Sequence, residues 1–428
     1  MIQQMFPDFK VKTTDRHITS CAGLSLMAGV AESLGVMKWM QQHLGGLKQR
    51  NRGYSVAEST LTLMLSLIAG GETLDDIRVI RADGALKRLL GKRSLPAPTT
   101  LGEFLRRFSR RSLKALSTVN AKLVRKVLSK RKVTTVTLDF DATLIESDKR
   151  EAAKTYEGFD GYAPLLCFLW QGKLVLRGLF RPGNASPAAN ALSFLRQCVK
   201  LLPDSISQMR IRSDSAWYNY KVMDFCQDHG ILFSITAEMH SALKEALRAI
   251  PQDHWLPFDD RQQIAETAYV VGKSRRAYRV VALRVLADQP DLFDGAYLYY
   301  AVITNMDHCN AKRLILWHRQ RATSENIIKE LKHGFALRRL PCGQLLANAA
   351  FFHIALLSYN LVQAFKLLIL PSGWQTFTVK TLRYRLLHIP GIVGQHARSL
   401  ILKLPSAHPY RVPFSNARYR IIGLAAEI

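Results

Sequence analysis

Four carboxylates in this chain stand where acidic side chains call for an explanation, and their chemistry suits hard divalent cations, which take oxygen ligands. Asp139 and Asp141 close a β-branched run from Val133 to Phe140. Acidic residues are depleted in strands. With a period of two, both aspartates face one side while Leu138 and Phe140 face the other. Either could hold a metal, or could pair with the basic run at 130–132 beside it. Asp214 follows a short strand and precedes a helix, where α/β sheets collect ligands; capping that helix is its plainer role. Glu325 shares a helical face with His318, Arg321, Lys329 and Lys332. Alone, that face reads as a surface ion-pair ladder. Beside an acidic site it would supply a third carboxylate, with cations to hold phosphates. Three carboxylates from different parts of the chain suit phosphodiester chemistry, in which two Mg²⁺ ions about 3.5–4 Å apart serve the attacking and leaving oxygens of an in-line displacement. A 3′-hydroxyl freed by hydrolysis can then attack a second phosphate, so one site can cut and join.

The elements that must position these residues separate by pattern. Residues 1–130 read as helical, with apolar periodicity over Gly23 to Leu44 and Tyr54 to Ala69. Thr100 and Glu103 have capping-box spacing. The helix they would open carries Arg106, Arg107, Arg110 and Arg111, and a second basic helix runs on to Lys132. With few acidic residues among them, these arginines are expected to contact DNA. From Val133 the period changes. Strands are expected at Val133 to Phe140, Pro164 to Trp170 and Lys173 to Phe180, the last two joined by a tight turn at Gln171-Gly172. A helix over Pro187 to Leu202, a strand over Met209 to Ile211, a helix over Trp217 to His229 and a strand over Ile231 to Thr236 complete a β-β-β-α-β-α-β order. That order matches an RNase H-like fold by analogy. Residues 238–305 read as an inserted, β-rich domain. Residues 306–370 return to helices carrying Glu325, and 371–428 form a basic tail. The fold class is therefore α/β: an RNase H-like catalytic core with an inserted β-rich domain, preceded by an all-helical, DNA-binding region.

Lys and Arg total 60 against 33 Asp and Glu, a formal charge of +27. Such an excess points to a polyanion, DNA before RNA or a membrane surface. The cysteines are Cys21, Cys167, Cys198, Cys226, Cys309 and Cys342. Without C-x-x-C spacing they suggest reduced thiols in a cytoplasmic setting rather than disulfides or zinc. His308-Cys309 lacks companions for a metal site. Met1 to Lys12 does not read as a signal peptide. The apolar run from Leu345 to Leu370 is interrupted by Asn348, His353, Asn360, Gln363 and Lys366, as suits a buried helix of a soluble protein.

The segment His318-x₂-Arg321-x₃-Glu325-x₆-Lys332 resembles the Y-(2)-R-(3)-E-(6)-K motif of bacterial insertion-sequence transposases of the DDE class, with His318 in place of tyrosine. The group called IS-thirteen-eighty is the nearest likeness. It is carried by Leu138 to Thr143, Gly161 to Leu165, Arg181 to Asn184, Arg212 to Asp214 and Glu325 to Lys332, with Asn348 and Ser358 to Leu361. The resemblance implies a cut-and-paste DNA transposase acting on double-stranded DNA: its element's terminal inverted repeats and a target. It implies Asp141, Asp214 and Glu325 as catalytic, metal-holding residues, with Asp139 as an outer partner. The cofactor implied is Mg²⁺, with Mn²⁺ as a substitute. Arg321, Lys329 and Lys332 would hold DNA, as would His318, which can stack and can donate to a phosphate. A homodimer in the synaptic complex and a cytoplasmic, nucleoid-associated location follow from the same likeness. Two rivals stand beside it: a nuclease of the same fold that does not join strands, and a DNA-binding protein or transposase relic without catalysis.

Overall fold

The computed structural model describes residues 9–48, 53–291 and 295–426. Of the opening stretch Met1 to Lys12, residues 1–8 lie outside it. The chain is mixed α/β, built on one large mixed sheet. Its strands are β1 (Thr135–Ala142), β2 (Leu165–Leu169), β3 (Leu174–Leu179), β4 (Gln208–Ser213), β5 (Leu232–Thr236), β6 (Leu256–Pro257), β7 (Gln262–Val270), β8 (Ala277–Asp291) and β9 (Gly295–Thr304). Their order across the sheet is β6-β7-β8-β9-β5-β4-β1-β2-β3. β1 lies centrally, antiparallel to β2 and parallel to β4. The β2–β3 connection is the expected tight turn, and Gly172 (φ 94°) and Lys173 (φ 53°) take its left-handed positions.

The strand-rich stretch 238–305 does not stand apart as its own sheet. β9 pairs antiparallel with β5 through Val302–Thr236, Ile303–Ile235 and Thr304–Ser234, so β6–β9 prolong the central sheet. The edge that β5 would otherwise leave open is thereby covered. A second apolar cluster, with Phe258, Val281 and Leu283, seals this extension against Leu314 and Ile315 of the following helix.

Five helices matter for the site: α1 (Pro98–Arg106), α2 (Arg110–Lys130), α3 (Ala311–Arg319), α4 (Thr323–Gly334) and α5 (Leu345–Leu368). α5 is long and apolar enough to cross a membrane, yet 83% of its most apolar window is buried within the fold. Its polar residues explain that placement. Asn360 accepts from the Val175 amide (2.8 Å) and donates to the Val175 carbonyl (2.7 Å) and to Asn120 of α2 (2.7 Å). Buried amides paired in this way lock α2, α5 and β3 together. One apolar cluster runs from Cys21 to Leu424, so the segments separated by sequence pattern share a core. The tail joins it too: Gly391–His396 pairs with Ile18–Thr19, and Phe414 and Ile421 of helix Arg411–Ala426 are buried.

Several local expectations are corrected. Gly23 to Leu44 is two helices, broken at Gly35 with φ 84°. Thr100 and Glu103 do not form a capping box, because Pro98 at the first helical position starts α1 after Ala97. α1 ends at Arg106, and Ser109 caps α2 through the Ser112 amide. Arg106, Arg107, Arg110 and Arg111 thus straddle the turn between two helices, all exposed.

Candidate active site

β1 and β4 run side by side in parallel, and their last pair is Phe140–Ser213. One residue further on each strand stand Asp141 and Asp214, so register alone brings these two carboxylates to the same end of the sheet. Asp214 keeps its plainer role as well: its Oδ1 accepts from the Ala216 amide (3.1 Å), capping the short turn Ser215–Trp217. Beneath them Phe140 lies against Trp217, ring centroids 4.1 Å apart. The third carboxylate arrives from α4, where Glu325 occupies the first turn and is exposed. A negative charge there is favoured by the helix dipole.

These groups influence one another. Burial first, and then the Asp214 and Glu325 charges, push the Asp141 carboxyl from 3.8 to about 6, against the pull of Arg321. Arg321 places Nη1 3.5 Å from Asp141 Oδ2. Burial also raises the Asp214 carboxyl, and Arg321 again opposes the shift. The arginine therefore serves both aspartates. One guanidinium set against three carboxylates leaves a local excess of negative charge, a setting in which a hard divalent cation is favoured. Among the described residues, no three such side chains are gathered closely enough to grip one ion. The donors fit a divalent metal in kind, as an open set rather than a closed cage.

Asp139 has other work. Its Oδ1 accepts from Arg212 Nε at 2.7 Å and its Oδ2 from Arg212 Nη2 at 2.8 Å, with both side chains buried. Burial raises its carboxyl against that pull. The two aspartates do share a face of β1, but the bidentate pair occupies both oxygens of Asp139.

The cationic face around Glu325 is rearranged. A 3₁₀ turn at Gln320–Ala322 separates α3 from α4, so His318 and Glu325 belong to different helices. His318 is only 3% exposed. Its Nδ1 lies 2.6 Å from Ser234 Oγ and its Nε2 3.0 Å from Thr236 Oγ1. Burial and the charges of Arg321 and Arg212 push it down to about 3. It is a neutral strut between α3 and β5, in place of the phosphate contact expected of it. Lys329 is exposed. Lys332, half-buried, helps line a cleft of about 680 Å³ with Ala142, Thr143 and Tyr156, just beyond the end of β1. Arg212 is a buried residue beside the site that sequence reading passed over. Its neighbour Asp214 drew attention, whereas its own partners lie on other elements.

Carboxylates at the ends of two adjacent parallel strands, a third on a helix and a basic surround are groups of the kind that phosphoryl transfer employs. The chain belongs to the family described as transposase DDE domain group 1, whose profile matches residues 5–425. It is a DDE transposase, a divalent-metal-dependent enzyme acting on DNA. No curated protein matches the chain. Among solved structures, the cryo-EM structure of a piggyBac transposase synaptic complex with hairpin DNA is similar at a TM-score of 0.40 and 11% sequence identity. That likeness covers 87% of this chain and 83% of the other.

Proposed function

We propose that the chain catalyses cut-and-paste transposition of an insertion sequence, cleaving and rejoining DNA at terminal inverted repeats through Asp141, Asp214 and Glu325. The observation that carries this reading is the strand register that sets Asp141 beside Asp214 under one shared arginine. The strand order β3-β2-β1-β4-β5, with β1, β4 and β5 parallel, supports an RNase H-like core, and β6–β9 would be the inserted β-rich part, spanning 238–305. The remaining division is a helical DNA-binding region at 1–130, core segments at 131–237 and 306–370, and a basic tail at 371–428. The IS-thirteen-eighty group remains the assignment favoured by the motif order.

Asp141, Asp214 and Glu325 would hold Mg²⁺, or Mn²⁺ in its place, which when bound supplies charge stabilisation at the reacting phosphate. The chain's own groups do the rest. Arg321, set against Asp141 in the protein without DNA, is within reach of a phosphate brought to the site. Lys329 and Lys332 extend positive charge along α4, and Arg106, Arg107, Arg110 and Arg111 offer backbone contacts that do not depend on sequence. A homodimer pairing the two element ends, in the cytoplasm and associated with the nucleoid, completes the proposal.

Incubating the protein with Mg²⁺ and labelled DNA from its own genomic flanks tests it. Joined products are expected. Nicked products alone would make the chain a nuclease of this fold, and binding without cleavage would make it a relic.

A further inference from the structure

We propose that Arg212 is the positioning residue that fixes the three carboxylate-bearing elements relative to one another. This rests on the reading of Asp141, Asp214 and Glu325 as the metal-holding set. The guanidinium is fully buried, and each direction in which it bonds leads to one of those residues. Its own strand, β4, ends at Ser213, and Asp214 lies two residues beyond Arg212. Its Nε and Nη2 grip both oxygens of Asp139, two residues before Asp141 on β1. Its Nη1 donates to the Trp317 carbonyl at 2.7 Å, in the last turn of α3, just ahead of the turn that carries Arg321 and leads to Glu325. Two indole rings lie close by as well, the Trp170 and Trp317 ring centroids 4.8 Å and 5.0 Å from the guanidinium carbon. A planar fork bonded through three of its nitrogens, with two aromatic rings beside it, has little freedom to turn.

β1 and β4 are already joined by the sheet ladder, whereas α3 and α4 are not strands of it. The Arg212–Trp317 bond is therefore a link of a kind that the ladder cannot provide. It ties the backbone leading to Arg321 and Glu325 to the same point that holds Asp139. The bridge of His318 to Ser234 and Thr236 sets the next residue of α3 against β5, so the end of this helix is fastened at two consecutive positions. A lysine at 212 could carry the charge but could not grip Asp139 with two bonds while reaching Trp317. Asp139 enters this arrangement as the anchor of the arginine.

The test compares full-length wild type with Arg212→Lys, with Trp170→Leu, which removes one of the two neighbouring rings, and with Leu357→Ala, a core cavity in α5, the helix that carries none of the carboxylates. Mn²⁺ affinity is read by the paramagnetic resonance of free Mn²⁺, thermal unfolding is followed in parallel, and the Mn²⁺ requirement of DNA cleavage is measured. Arg212→Lys is expected to weaken Mn²⁺ binding at least tenfold and to raise the Mn²⁺ needed for half-maximal cleavage by a similar factor. Trp170→Leu should weaken binding about threefold. Leu357→Ala should lower the unfolding temperature and leave Mn²⁺ affinity within twofold of wild type. Wild-type affinity in Arg212→Lys, or an equal loss in Leu357→Ala, would overturn the proposal. Should Arg212→Lys not fold, unchanged affinity in Trp170→Leu would overturn it. Failure of the underlying site reading looks different: Asp141→Ala, Asp214→Ala and Glu325→Ala would then each bind Mn²⁺ as wild type does.

Discussion

Replacing Asp141 with asparagine should stabilise the metal-free protein at neutral pH while abolishing its chemistry. Burial and the two neighbouring carboxylates raise the Asp141 carboxyl from 3.8 to about 6. Its side chain is only 12% exposed, so solvent screening removes little of the effect. At 1.36 kcal/mol per pH unit, the charged form costs the folded state roughly 3 kcal/mol. Because the folded protein binds this proton more tightly than the unfolded chain does, the cost is complete above about pH 6. It shrinks as the pH falls toward 3.8 and is absent below that. The substituted asparagine carries no such cost at any pH. Thermal unfolding in EDTA should place Asp141→Asn a few degrees above wild type at about pH 8, with the gap narrowing at about pH 5 and closing near pH 4. Added Mg²⁺ should raise the wild-type transition and leave the variant's nearly unmoved. A variant no more stable than wild type at that upper pH, or an advantage that does not vary with pH, would refute the electrostatic reading of the site.

Other outcomes follow from the same geometry. Changing Arg106, Arg107, Arg110 and Arg111 to alanine together should weaken DNA binding and flatten its dependence on salt, with unfolding temperature nearly unchanged, because all four are exposed. Gel-shift titrations between low and moderate salt check this. His318→Leu should cost about 1–3 kcal/mol in chemical denaturation by stranding the hydroxyls of Ser234 and Thr236, with DNA affinity per folded molecule unchanged. Lys366, buried in α5, is pushed from 10.5 down to about 8, chiefly by burial. Its charge therefore burdens the fold below about pH 8, and that burden fades as the pH rises toward 10.5. Lys366→Met should be more stable than wild type at about pH 7, with the advantage shrinking by about pH 10, as unfolding curves at the two values would report.

Much of this was legible in the sequence because it rests on local chemistry. The β-branched run before Asp139, the Gln171-Gly172 turn and the long apolar α5 declare themselves through residues adjacent in the chain. β1 nonetheless starts two residues later than the β-branched run, because α2 runs to Lys130 and Lys132 turns at φ 51°. The helical spacing from His318 to Lys332 is present in the sequence, yet the turn at 320–322 divides it. The end of α3 is pinned to β5 through His318 just before that break, and a periodicity contains no sign of such a contact. The Asp139–Arg212 pair depends on the parallel register of β1 and β4, which joins residues 73 positions apart. The same limit hid the fate of the β-rich stretch. Its strands were recognisable, whereas their pairing with β5 depends on which edge the core leaves open. Thr100 and Glu103 had the spacing of a capping box, but Pro98 fixed the start of α1 first.

The assignment of the three carboxylates stands or falls on Mg²⁺-dependent cleavage of labelled element-end DNA by Asp141→Ala, Asp214→Ala and Glu325→Ala, each compared with wild type at equal folded concentration. Every one of the three should lose cleavage by at least about a thousandfold, roughly 4 kcal/mol of barrier, while still binding the DNA. Full cleavage by any one of them would remove that residue from the site, and full cleavage by all three would place the chemistry elsewhere in the molecule.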